Sequence, residues 1–245
     1  MTMRSTWKKL VPALLGLTAL AACVPETPVT PGPTTTTAPT TTTTTTPPPP
    51  KFVLYKGHAD AFEVTVDGNA LEVQIKDDSG LGAPGTVFRD PAETILQALP
   101  TSSVPGGAPG VAPFTFLGAA GSPLWLLPQV QDANLLWPGL STERISSGVL
   151  QGNKVTWTVD SVTGPGAFHL FQNDSFGSPV VWFTSNNAWP QSKQVNTGQH
   201  AHFNWAFGAS GTYTLTFRAT ATLANGTPVT SGPVPYTFVV GSLPA

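Results

Sequence analysis

Histidine is the residue type in this chain best suited to hold a ligand, and there are four: His58, His169, His200 and His202. Two of them form a His-x-His in the segment 199–207 (QHAHFNWAF). Read as a strand, that segment puts Ala201, Phe203, Trp205 and Phe207 on the core face and His200, His202 and Asn204 on the other. Side chains at i and i+2 of a strand stand about 7 Å apart, so two imidazole rings can converge on one ion. Neutral imidazole suits zinc, copper, nickel and iron. A structural zinc site takes three or four protein ligands, so more donors are needed. Gly57-His58-Ala59-Asp60 supplies two, on a turn expected after the first apolar run. Asp60 serves there either as a direct ligand or as the group that orients a ligating histidine. His169 has apolar neighbours on both strand faces, which leaves it open between a further ligand and a core histidine. The expected site is therefore His58, Asp60, His200 and His202, with His169 as an added candidate and zinc as the expected ion. His58 must reach the His-x-His from the opposite end of the domain.

Other chemistries find less support. There is no Gly-x-Ser-x-Gly elbow, no His-Glu-x-x-His helix, and the one cysteine is Cys23. A carboxylate pair for glycoside hydrolysis need not be local in sequence, but nothing positive points to turnover, and the chain is expected not to be an enzyme. The competing reading is adhesion. Trp125, Trp137, Trp182 and Trp189 could stack on sugar rings of a cell-wall glycan or dock a protein, whereas large aromatics more often belong to the core.

The elements that must position these residues read as strands. Residues 52–55, 61–66 (AFEVTV), 70–76 (ALEVQIK), 153–160 (NKVTWTVD), 179–184 (PVVWFT), 212–223 (TYTLTFRATATL) and 234–240 (VPYTFVV) are apolar or alternating runs. Asp67-Gly68 and Asn225-Gly226 mark hairpins. Short strands between Gly/Pro turns predict an all-β, Ig-like antiparallel β-sandwich. One short helix is expected from Asp90 to Leu99. Asp90 is its cap, Pro91 its first residue and Glu93 its third, and Pro100 ends it. The Gly/Pro/Trp-rich stretch on to about Leu140 reads as a long excursion decorating the sandwich.

The N-terminal fifth is different. Residues 1–9 carry Arg4, Lys8 and Lys9, residues 10–22 are apolar, and Cys23 follows. That is the pattern of an export signal, too short to span a membrane. Leu20-Ala21-Ala22-Cys23 resembles a bacterial lipobox, which implies cleavage before Cys23, lipid on its thiol, and anchoring to the outer face of the cell membrane. Residues 24–50 are almost all Thr and Pro. With nothing to bury, they are expected to be a disordered stalk reaching roughly 80 Å at polyproline spacing. The expected organisation is a lipoprotein signal peptide (1–22), lipidated Cys23 with its stalk (23–50), and a β-sandwich domain (51–245). After Cys23, eight Lys and Arg face thirteen Asp and Glu, with no basic patch. Nucleic acid is not an expected partner.

One resemblance extends over nearly all of residues 51–241. Gly57-His58-Ala59-Asp60, Asp90-Pro91, Trp125-Leu126-Leu127-Pro128-Gln129, Leu136-Trp137-Pro138-Gly139 and Gly164-Pro165-Gly166-Ala167-Phe168 occur in that order. They are followed by His200 to Phe207, Gly211-Thr212-Tyr213 and the closing Tyr236 to Gly241. Together they resemble the actinobacterial surface-anchored repeat domain, or choice-of-anchor M domain. The resemblance implies a cell-surface protein associated with metal-type ABC transporter components, and hence zinc or manganese handling.

Overall fold

Residues 51–244 are described by the computed structural model; the expected signal segment, Cys23 and the stalk lie outside them. Sixteen strands, numbered along the chain, form three sheets among these residues. The seven-stranded sheet runs β1 (Phe52–Leu54), β5 (Thr94–Ala98), β16 (Val234–Val240), β14 (Gly211–Thr222), β8 (Lys154–Thr163) and β11 (Gln191–Asn196), with β15 (Pro228–Thr230) also on β14. The five-stranded sheet runs β12 (His200–His202), β7 (Leu136–Ser141), β2 (Gly57–Asp67), β3 (Ala70–Asp77) and β4 (Val87–Arg89). The four-stranded sheet runs β10 (Pro179–Thr184), β9 (Phe168–Asn173), β13 (Asn204–Phe207) and β6 (Trp125–Leu127).

The chain is an all-β sandwich whose core joins the three sheets. Alternation in β14 buries Tyr213, Leu215, Phe217 and Ala219, and in β8 Val155, Trp157 and Val159. Phe62 of β2 stacks on Phe217 at 4.0 Å and meets Trp157, Trp205 and Tyr236. Phe207 of the four-stranded sheet packs on Tyr213 and Phe238. Most strand pairs are antiparallel, but β1–β5, β5–β16 and β2–β7 are parallel. Among the described residues no helix is long and apolar enough to cross a membrane.

The expected helix is corrected. Asp90 does cap, accepting from the Ala92 N–H at 2.8 Å, but only one 3-10 turn, Pro91–Glu93, follows. Residues 94–98 become β5 instead. β5 lies between β1 and β16, with Thr94, Leu96, Gln97 and Ala98 buried, and two β-branched residues, Thr94 and Ile95, open it. Pairing on both edges overrides a local capping signal that is worth about 1 kcal/mol. The excursion is structured as expected, with a small core of its own from Ala108, Leu117 and Leu124 against Phe171 and Ala206.

Candidate metal centre

The five-stranded sheet aligns the predicted residues in rows. Residues directly opposite on paired strands point to the same face. One row crosses four strands: Lys76 of β3, Asp60 of β2, Gly139 of β7 and His202 of β12. On one side of it lies the row that holds His58 opposite Trp137, and on the other the row of Glu63, Ser141 and His200. All of these point away from the core residues Phe62 and Val64.

That arrangement depends on a β-bulge. The register shifts by one residue between Asp60 and Phe62 against β7, and between Asp60 and Glu63 against β3. His58 and Asp60 therefore leave the sheet on one face and the even-numbered Phe62 and Val64 on the other. Residues 57–60 are not the turn expected from sequence; they open β2, and Gly57 makes the turn into it with φ +83°.

The result is a convergence of His58, Asp60, His200 and His202, one donor atom from each lying within 4.8 Å of the others. His58 Nε2 is 3.3 Å from His200 Nε2 and 3.7 Å from Asp60 Oδ1, and His200 Nε2 is 2.8 Å from Asp60 Oδ1. Tetrahedral donors at zinc bond lengths of about 2.0–2.1 Å would stand roughly 3.3–3.4 Å apart, close to the first two values. No N–H is aimed at Asp60 Oδ1, which is buried without a hydrogen bond, as are both ring nitrogens of His202. Buried polar atoms left unpaired are uncommon and costly, and Asp60 Oδ1 and one His202 nitrogen belong to the converging donors. This group could hold a metal ion.

Surrounding residues fix the donors. His58 Nδ1 is 3.1 Å from Asp78 Oδ2, which leaves Nε2 to face the centre. Lys76 Nζ donates to Asp60 Oδ2 at 3.2 Å and lies 3.5 Å from Asp78 Oδ2 and 3.9 Å from Glu143 Oε2. Burial alone would lower the proton affinity of Lys76, but Asp60, Asp78 and Glu143 outweigh it and hold the ammonium charged. Burial alone would raise the pKa of Asp78, yet a Thr86 hydroxyl, Lys76 and His58 bring it below the usual range. His202 stacks on the Trp137 indole at 3.5 Å, and the Trp137 N–H donates to the Gln129 carbonyl. Burial, then the neighbouring His200 and His58, push His202 down to about 4, so near neutral pH it is an unprotonated donor. Glu63, beside the group, is raised by burial, against a downward pull from the Ser141 hydroxyl.

Gly139 supplies the space. Its φ is not in the left-handed region, but a Cβ there would lie 2.7 Å from Asp60 Oδ1 and 2.9 Å from His202 Cε1. Gly139→Ala is thus expected to lower zinc affinity by at least about the 10–100-fold typical of disturbing a metal site's outer shell. Titration calorimetry beside a far-UV spectrum checks this; wild-type affinity in a folded variant would contradict it.

Other sequence-predicted residues go elsewhere. His169 is not a member of the group. It lies in β9, opposite Ala206 and Thr184, 1% exposed, with Nδ1 2.8 Å from the Thr184 hydroxyl and its ring against Phe116. The expectation of a ligand gives way to the core histidine, because β9 belongs to the four-stranded sheet. Asn204 does not extend the histidine face either. The strand breaks at Phe203, β13 joins a different sheet, and the Asn204 side chain accepts from the Gln129 N–H. Trp125, Trp182 and Trp189 are partly buried against the core, and Trp137 is the floor beneath His202. Sequence reasoning missed Lys76, Asp78, Gly139 and Glu63; the only signal was charge at the end of an alternating strand.

Burial pushes His169 from the usual 6.5 to about 4. Its folded-state pKa is depressed, so at pH 7 the folded state is neutral and the unfolded state largely so. Below 6.5 the unfolded chain binds a proton that the folded chain does not. Stability is therefore lost as pH falls from 6.5 toward 4, by about 2 kcal/mol between pH 7 and pH 5. Urea unfolding of His169→Gln should show a shallower acid loss by that amount; an unchanged slope would contradict a neutral buried imidazole.

No protein-family model and no curated protein matches the chain. Among solved structures, the ASH / PapD-like domain of human CEP192 (PapD-like domain 7) is similar at 14% identity over 38% of this chain, with a TM-score of 0.18. The match spans 65% of that domain, less than two thirds of its length. A likeness this slight carries no argument about site or function.

Proposed function

We propose that this chain is a cell-surface lipoprotein whose β-sandwich binds one divalent transition-metal ion, zinc or manganese, through His58, Asp60, His200 and His202. The observation that carries the reading is the convergence of the four donors together with the unpaired state of Asp60 Oδ1 and both His202 nitrogens. An ion at their centre would satisfy Asp60 Oδ1 and one His202 nitrogen at once, while the other ring nitrogen lies toward the Pro138 backbone. Three neutral imidazoles and one carboxylate are a donor set for a first-row divalent ion rather than for calcium or magnesium, which take oxygen. The acids nearby, Asp78, Glu143 and Glu63, outnumber Lys76 and Arg144 and favour a cation. The proposal includes association with metal-type ABC transporter components at the membrane, on the family resemblance, and assigns no catalysis. Elemental analysis of the purified protein, followed by zinc and manganese titration of the stripped form, is the test. Absence of co-purified metal together with no titratable binding would remove the reading.

The anchoring half has its own test. Cys23→Ser is expected to shift the protein from the membrane fraction to the soluble fraction or leave it unprocessed. Palmitate label retained on the variant, or wild-type protein found wholly in the medium, would contradict lipidation.

A further inference from the structure

We infer that Lys76 sets the metal selectivity of this centre, holding Asp60 to a single ligating oxygen so that the site takes zinc in preference to manganese. The inference rests on the metal-binding reading above and adds which ion is favoured and by what device.

A carboxylate can offer a metal one oxygen or two. Bidentate carboxylates and higher coordination numbers suit larger, oxygen-preferring ions, whereas zinc in closed protein sites is four-coordinate. Asp60 is wholly buried, so water cannot compete for its second oxygen. Lys76 does: its ammonium donates to Oδ2 at 3.2 Å while Oδ1 faces the three imidazoles. Lys76 is itself held in place, 3.5 Å from Asp78 and 3.9 Å from Glu143, and it occupies the position directly across the β2–β3 ladder from Asp60. The histidines are restricted in the same way. His58 Nδ1 is engaged by Asp78, so that ring contributes Nε2 alone. Four side chains then give four donors, three nitrogens and one oxygen. With Lys76 removed, Asp60 Oδ2 has no hydrogen-bond donor left and becomes a fifth donor on the same carboxylate.

Removing a positive charge strengthens every dication, so the informative quantity is the ratio of manganese to zinc dissociation constants. Three forms of the full chain, stripped of metal, would be titrated with zinc and with manganese: wild type, Lys76→Met and Lys76→Arg. In Lys76→Met the ratio should fall by at least about tenfold. Lys76→Arg, which keeps a donor for Oδ2, should stay near wild type. Cobalt(II) provides a second readout: the wild-type complex by itself should give the intense visible bands of four-coordination, and the Lys76→Met complex weaker ones. An unchanged ratio in Lys76→Met with zinc still bound, or a wild type that favours manganese, overturns the inference and leaves metal binding standing. A weak six-coordinate cobalt spectrum in the wild type also overturns it, whether or not Lys76→Met folds. Failure of the wild type to bind either ion sinks the metal-binding reading itself.

Discussion

His200→Ala and His202→Ala are each expected to abolish metal binding in any practical range. Removing a group that merely orients a ligand costs roughly 10–100-fold in affinity, and removing one of four ligands should exceed that. The two variants should differ in stability. His200 is a third exposed on the sheet edge and its loss should be nearly silent without metal. His202 is stacked on Trp137, and truncating it should cost about 1 kcal/mol. Melting with and without zinc separates these effects. Wild type should gain about 4 kcal/mol at a zinc concentration a thousand times the dissociation constant, and neither variant should gain anything. Binding within tenfold of wild type in either variant would exclude that histidine as a ligand.

Phe62→Ala should cost more stability than any single ligand replacement. Phe62 is almost wholly buried, stacked on Phe217 and against Trp157, Trp205 and Tyr236, and truncating a buried phenylalanine costs about 3–5 kcal/mol. Urea unfolding should show that loss, and wild-type stability in this variant would contradict it. Deleting Ala61 tests the bulge that aims Phe62 inward. Ala61 is the extra residue there, and without it the pairs Asp60–Gly139 and Phe62–Leu140 become consecutive. Simple alternation then keeps His58 and Asp60 on one face and Phe62 and Val64 on the other. The deletion variant is therefore expected to stay folded and to bind zinc, read by near-UV dichroism and zinc titration. Loss of the fold in this variant would show that the bulge does more than set the phase.

The bulge also explains what could and could not be read from sequence. The alternation in β14 and β8, the β2–β3 hairpin and the outward direction of His200 and His202 were all legible, because each depends on residues adjacent in sequence. His58 and Asp60 were legible by residue type alone. Their connection to the strand was not, since a continuous period of two would place His58, Asp60, Phe62 and Val64 on one face. The extra residue is set by pairing with β3 and β7, which are distant in sequence. β5 was misread for a similar reason: capping is local, and burial between β1 and β16 is not. The break at Phe203 went unseen because both halves of the histidine segment keep strand geometry while joining different sheets. Lys76 and Asp78 looked like a charged strand end until the register set them across from Asp60 and His58.

The chain enters the domain through a short attachment. Lys51 leads directly into β1, an edge strand held by a three-residue parallel pairing to β5. A pull on the chain ahead of Lys51 is first resisted by those few bonds. Once β1 is stripped, tension passes through Tyr55 and Lys56 to Gly57 and then to His58. The centre is thus the next mechanical joint after β1. A bound ion would tie β2 to β12 across 142 residues of sequence, a cross-link in a chain whose one cysteine precludes an internal disulfide. The load needed to extract β2 would then depend on metal concentration, so the domain under tension would be firmer when the ion is bound than when it is scarce.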